Sequence, residues 1–134
     1  MTEQEMQQRT RQFALRVMRL VDALPTERSS DVIGRQLFHC VSSVGANYRA
    51  ACHAKSHAGF VNRLGIVEEA DESSHWMELL VDAGIMEQKR LGALRDEAAE
   101  VLRIVSPSRL TARRNARAVK SQIANRKSES EIRQ

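Results

Sequence analysis

The residues best suited to chemistry lie at Glu72-Ser73-Ser74-His75, which has the Glu-x-x-His spacing that brings a carboxylate and an imidazole to one side of a helix. Di-iron bundles are built from two such elements plus two further glutamates on other helices. Here the second element is missing: Gln36 stands three residues before His39, Ala50 before His53 and Ala54 before His57. Cys52, His53 and His57 surround one predicted connection and offer soft ligands for zinc, but no fourth ligand is near them in the sequence. The predicted helix break between His53 and His57 also removes simple one-turn spacing. His39 and Cys40 are adjacent, and helix neighbours point in different directions, so they form no nucleophile–base pair. There is no phosphate-cradling glycine loop, no Ser-His-Asp set and no zinc-protease helix. The expectation is no metal, no cofactor and no catalytic residue.

Two other groups of residues carry information. Gln36, Ser43 and Asn47 repeat at helical spacing beside an apolar stripe, and on a helical wheel Asp71 falls inside the apolar stripe of the next helix. These four residues are expected to form a polar seam, with Glu68 or Glu72 as a further member, that sets the register between two helices or two subunits. Buried polar groups are costly unless hydrogen-bonded, and once satisfied they specify packing. The second group is basic. Residues 1–108 carry 13 Lys and Arg against 15 Asp and Glu, whereas residues 109–134 carry 8 against 2. The formal charge of +4 therefore comes from the C-terminal segment. Arg109, Arg113, Arg114, Arg117 and Lys120 are the candidate contacts to nucleic-acid phosphates. No aromatic residue lies among them, so base stacking is not expected and sequence preference should be weak.

The elements that must position these residues are helices. Two prolines and six glycines are too few for the frequent turns of a β-sandwich or barrel. Met6, Phe13, Val17, Leu20, Val21 and Leu24 share one face of a helix from about residue 4 to 24, which Pro25 ends. A second helix runs from about 31 to 54, with Ser29 or Ser30 as its N-cap. A third covers about 57 to 83, capped by Ser56 and stopped by Gly84. A fourth begins near Met86 and should break or kink at Pro107. The predicted fold is all-α, an antiparallel up-down-up-down four-helix bundle over residues 1–115, followed by a basic, disordered tail over 116–134.

A 134-residue, 15.1 kDa chain is one domain's worth of polypeptide. No apolar run approaches the roughly 18 residues of a membrane span. The N-terminus is polar and acidic, unlike a signal peptide. Cys40 and Cys52 lack disulfide-framework spacing and fit buried thiols, which places the chain in the cytoplasm.

Arg35-Gln36-Leu37, Ser43-Val44-Gly45-Ala46-Asn47, Phe60 with Leu64-Gly65-Ile66-Val67-Glu68-Glu69-Ala70-Asp71-Glu72, and Trp76-x-Glu78-Leu79-Leu80 together resemble a known pattern. It is that of the four-helix-bundle proteins encoded in intervening sequences of bacterial 23S ribosomal RNA genes. The likeness extends from about Arg11 to Ile85 and more weakly to Asn115. It implies a homo-oligomeric ring, typically a pentamer, and a relation to the nucleic-acid-binding accessory proteins of diversity-generating retroelements. It brings no catalytic residues. One departure stands out. Family members often leave the second helix through a glycine soon after the asparagine, whereas Asn47 is followed by Tyr48-Arg49-Ala50-Ala51-Cys52, so helix two should run on. The function expected is a non-enzymatic, homo-oligomeric, nucleic-acid-associated scaffold; the alternative is a protein–protein adaptor with no nucleic-acid role.

Overall fold

The computed structural model describes the backbone of residues 1–67 and 70–133, together with side chains other than those of residues 66–67, 106–113, 115–116, 119 and 129–133. Five helices account for nearly all of it: α1 (Glu3–Asp22), α2 (Arg28–Cys52), α3 (His57–Val67), α4 (Ala70–Asp82) and α5 (Gln88–Arg133). No strand occurs among the described residues.

Local chemistry explains most of the helix ends. Thr2 and Glu5 form a reciprocal capping box at the start of α1, each side chain accepting the other's backbone N–H at 3.0 and 3.1 Å. Ser56 Oγ accepts from the Gly59 N–H at 3.0 Å, as an N-cap serine should. α4 stops where Gly84 takes φ +70°; the Ile85 N–H then donates to Leu80 O and the Gly84 N–H to Val81 O, both at 3.0 Å. This is a Schellman ending, and a side chain at residue 84 would be strained there.

The start of α2 differs from the expected serine cap. The helix begins at Arg28 after Glu27, which makes no side-chain capping bond, and Ser30 turns inward and is buried. With Ile33, Gly34 and Leu37 forming the same inner face, Ser30 is drawn into the interior instead of closing the helix end. α2 continues five residues past Asn47, as the missing glycine predicts.

α2 packs against α1, α3 and α4, and α5 packs against α4, α3 and α1. The contacts run in opposite senses along successive rods. Gly34 lies against Val21 and Leu24 while Gly45 lies against Thr10, so α1 and α2 are antiparallel. Arg9 reaches Glu97 while Leu20 and Ala23 meet Met86 and Arg90, which sets α5 antiparallel to α1. Two apolar clusters fill the interior. One centres on Phe13, Leu37, Met77 and Leu91, the other on Met6, Val44, Leu64 and Val101.

α5 departs most from the sequence expectation. Where a break or kink at Pro107 and a disordered tail over 116–134 are expected, the helix is described from Gln88 to Arg133 without interruption. Proline removes one N–H, so only the Arg103 carbonyl loses its intrahelical partner. No glycine follows Gly92, and the segment is rich in Ala and Arg, both strong helix formers. Forty-six helical residues span about 69 Å at 1.5 Å per residue, against about 30 Å for α1. Val105 is the last described residue of α5 that is buried, and every described side chain from Arg114 onward is exposed.

Candidate functional site

On the bundle itself, the polar seam forms only in part. Gln36, Ser43 and Asn47 do lie along one edge of α2, but Gln36 is exposed. Ser43 Oγ donates to the Cys40 carbonyl at 3.2 Å. Asn47 Nδ2 donates to the Ser43 carbonyl, and Asn47 Oδ1 accepts from Arg63 Nη1, both at 2.9 Å. The residue that meets Asn47 across the helix pair is thus Arg63, which nothing in the sequence singles out.

Asp71 is exposed, as is Glu72, and Glu68 lies outside the described residues. The placement of Asp71 within an apolar stripe is therefore corrected. A single wheel through residues 57–83 assumes that one face stays inward throughout. The buried residues of α4 are Ala70, Ser73, Met77 and Leu80, whereas α3 buries Leu64 with Phe60 half-buried beside it. At 100° per residue, those two inner faces differ by more than about 100°. Asp71 consequently turns to solvent.

The metal candidates are dispersed. Glu72 and His75 sit on the exposed side of α4, and the His75 ring stands edge-on to Trp76 at 5.0 Å. Cys52 is half-buried at the end of α2, while His53 and His57 are exposed. Among the described residues, no three His, Cys, Asp or Glu side chains are grouped to hold a metal ion. Ser73, inside the Glu-x-x-His element, is fully buried, with Oγ donating to the Ala70 carbonyl at 2.5 Å. Cys40 is buried, and neither cysteine is in a disulfide. Tyr48, packed over the Cys52 end of α2, has its phenol pushed up to about 12; burial is the main cause, followed by the Cys52 charge and hydrogen bond.

The basic candidates share one element. Arg114, Arg117 and Lys120 are exposed on α5, and the side chains of Arg109 and Arg113 lie outside the described residues. Helical geometry orders their positions. At 100° per residue, positions 109, 113, 117 and 120 fall within an arc of about 80°, with 127 inside the same arc. Arg114 stands about 100° from position 113, and Arg126 lies on the opposite side. From 109 to 127 the helix rises about 27 Å, the length of several phosphate steps along a nucleic-acid strand. Ile123, 51% exposed, is a large apolar residue on this largely polar rod.

Other side chains join α1 to α5. Arg9 Nε and Glu97 Oε1 are 2.6 Å apart and partly buried, and Arg16 approaches the other Glu97 oxygen at 4.0 Å. The Glu97 hydrogen bond raises the Arg9 pKa above its ordinary value. Beyond this pair the α1–α5 groove opens to about 360 Å³, lined by Arg16, Arg19 and Arg90 over Leu20, Met86 and Leu94. A polar groove of about 460 Å³ runs between α1 and α2, and a hollow of about 550 Å³ lies over the α1–α2 connection. No helix among the described residues is long and apolar enough to cross a membrane.

This architecture is similar to a crystal structure of a protein of unknown function from the S23 ribosomal protein family of Bacteroides thetaiotaomicron. The two share 27% identity and a TM-score of 0.75, over 81% of this chain and 98% of that one. No curated protein matches this chain. The model of the family described as 23S rRNA-intervening sequence protein matches residues 2–106. With that match spanning most of the bundle, the chain belongs to the 23S rRNA-intervening sequence protein family.

Proposed function

We propose that this chain is a non-enzymatic, homo-oligomeric helical-bundle scaffold or accessory protein that contacts nucleic acid through the basic face of α5. The observation that carries the reading is the gathering of Arg117 and Lys120, with positions 109, 113 and 127, on one side of a helix whose described side chains from Arg114 onward are exposed. A row of cations on an exposed rod can lie along a phosphate backbone without first paying the entropy of ordering a disordered tail. Membership of a family defined by ribosomal RNA intervening sequences points the same way. Homo-oligomerisation, a pentamer by resemblance, would repeat that weak face several times over one ligand and raise its avidity.

The test is equilibrium binding of the full chain to fluorescently labelled duplex DNA and to single-stranded and duplex RNA across a salt series. Binding should fall steeply as salt rises, with a log–log slope of about −0.9 per phosphate contact on B-DNA. It should be lost in a chain ending after Val105, with little dependence on base sequence. Absence of binding at low salt would overturn the nucleic-acid role. It would leave a protein–protein adaptor, for which the exposed Ile123 on α5 is the favouring observation.

A further inference from the structure

The bundle carries two surfaces of opposite character on opposite sides. The first is the α1–α5 groove, where Arg16, Arg19 and Arg90 rim an apolar floor that includes Leu20, Met86 and Leu94. No carboxylate lines it. Arg16 shares Glu97 with Arg9 from the edge of the groove, and among the described residues Arg19 and Arg90 have no ion-pair partner. Unpaired guanidinium groups over an apolar floor suit a partner that offers both carboxylates and an aliphatic side chain.

The second surface is the outer side of α4. Its inward residues are Ala70, Ser73, Met77 and Leu80. The opposite side carries Asp71, Glu72, Glu78 and Asp82, all exposed, around the exposed His75 and beside Leu79, an apolar residue 37% exposed. Arg95 neutralises Glu78 at 2.8 Å and leaves the other three carboxylates unpaired among the described residues. The ridge is about 16 Å long at helical rise. α1 and α4 stand across the bundle from each other, since α2 and α5 each pack against both of them.

We propose that the acidic ridge of α4 in one copy, with Leu79 along it, seats in the arginine groove between α1 and α5 of a second copy. This rests on the homo-oligomer reading above and names the surfaces that would produce it. The two patches differ and face away from each other, so the contact is head-to-tail. Such a contact propagates around a ring or along a filament and does not stop at a two-fold dimer. Leu79 on the apolar floor supplies the burial that exposed ion pairs lack, and the charges select the register.

The experiment is light scattering after size-exclusion chromatography on three full-length forms: wild type, Arg19→Ser/Arg90→Ser and Glu72→Arg/Asp82→Arg. All four positions are exposed, and circular dichroism would confirm that each variant keeps its helices. Wild type is expected to run as an assembly of several 15.1 kDa chains and each variant as a monomer. An equimolar mixture of the two variants retains one good groove and one good ridge, so it should form a one-to-one pair and nothing larger. If wild type assembles and the variants keep its mass, the surface assignment fails while the homo-oligomer reading stands. Failure of the two variants to pair overturns the head-to-tail geometry. A monomeric wild type overturns both.

Discussion

Arg63 Nη1 donates to Asn47 Oδ1 at 2.9 Å while Asn47 Nδ2 donates to the Ser43 carbonyl at 2.9 Å, so one amide joins α3 to α2 and braces α2 itself. Both bonds disappear in Asn47→Ala. The pair is partly solvated, so the expected loss is about 1 kcal/mol, which lowers Tm by several degrees in a domain of this size. Arg63→Ala should remove part of the same energy, and a double-mutant cycle on thermal unfolding would measure the coupling. Additive losses would show that the contact contributes nothing.

Two helical glycines should respond in opposite directions to alanine. A Cβ at Gly34 would meet Val21 Cγ1 at 3.1 Å and Leu24 Cδ1 at 3.2 Å, where α1 and α2 approach closely. At Gly92 it would meet nothing within 4 Å. Alanine is favoured over glycine in a helix by about 0.5–1 kcal/mol. Gly92→Ala should therefore raise Tm, while at Gly34 crowding against two branched side chains cancels the gain and lowers it. Equal shifts at the two sites in thermal melts would refute the close packing at Gly34.

Tyr48 is the sole tyrosine, so its ionisation can be followed by tyrosinate absorbance without ambiguity. In the native protein the phenol should ionise near 12, chiefly because burial penalises the anion. In the unfolded chain its pKa is about 10. A folded pKa raised above the unfolded one means that the neutral phenol stabilises the fold fully below about pH 10 and that this contribution is lost between about 10 and 12. Tyr48→Phe should flatten stability over that window in denaturant titrations. A native tyrosinate signal already half-developed at pH 10 would contradict the burial.

On α5 the face matters more than the charge. Arg117→Ala and Lys120→Ala should each weaken nucleic-acid binding and reduce the salt slope by about 1, whereas Arg126→Ala, on the opposite side of the helix, should do neither. Equal losses at all three positions would indicate a non-helical, diffuse interaction.

Pro107→Ala restores the backbone N–H that the Arg103 carbonyl lacks in mid-helix. Proline in a helix interior costs about 3 kcal/mol relative to alanine. Because α5 already runs through the proline, the variant should keep its ellipticity near 222 nm while becoming more resistant to proteolysis beyond residue 107. A large gain in ellipticity would argue against a continuous α5.

Much of the fold was legible before any coordinates. The 3.6-residue spacing of Met6, Phe13 and Val17, or of Leu91, Leu94 and Ala98, demands a helix with one inward face, and each of these residues is buried. Ser56, Gly84 and Pro25 mark helix ends because capping and stopping depend on residue type and immediate neighbours. The absence of a glycine after Asn47 likewise foretold the longer α2. These are local consequences of backbone geometry, and the sequence by itself determined them.

Relations between elements were not legible in the same way. A wheel drawn through residues 57–83 put Asp71 inside, but which face of α4 turns inward depends on where α2 and α5 press against it. Nothing in the sequence singles out Arg63, Arg19 or Arg90. Only packing brings the first to Asn47 and the other two to one groove. Ser30 reads as a cap until its burial in the fold is seen. The basic residues of the C-terminal segment were evident as a charge excess, while their division into faces required knowing that α5 runs through Pro107. Periodicity and capping act over one or two turns. The phase and partners of a helix are chosen by surfaces far away along the chain, and those only the tertiary structure decided.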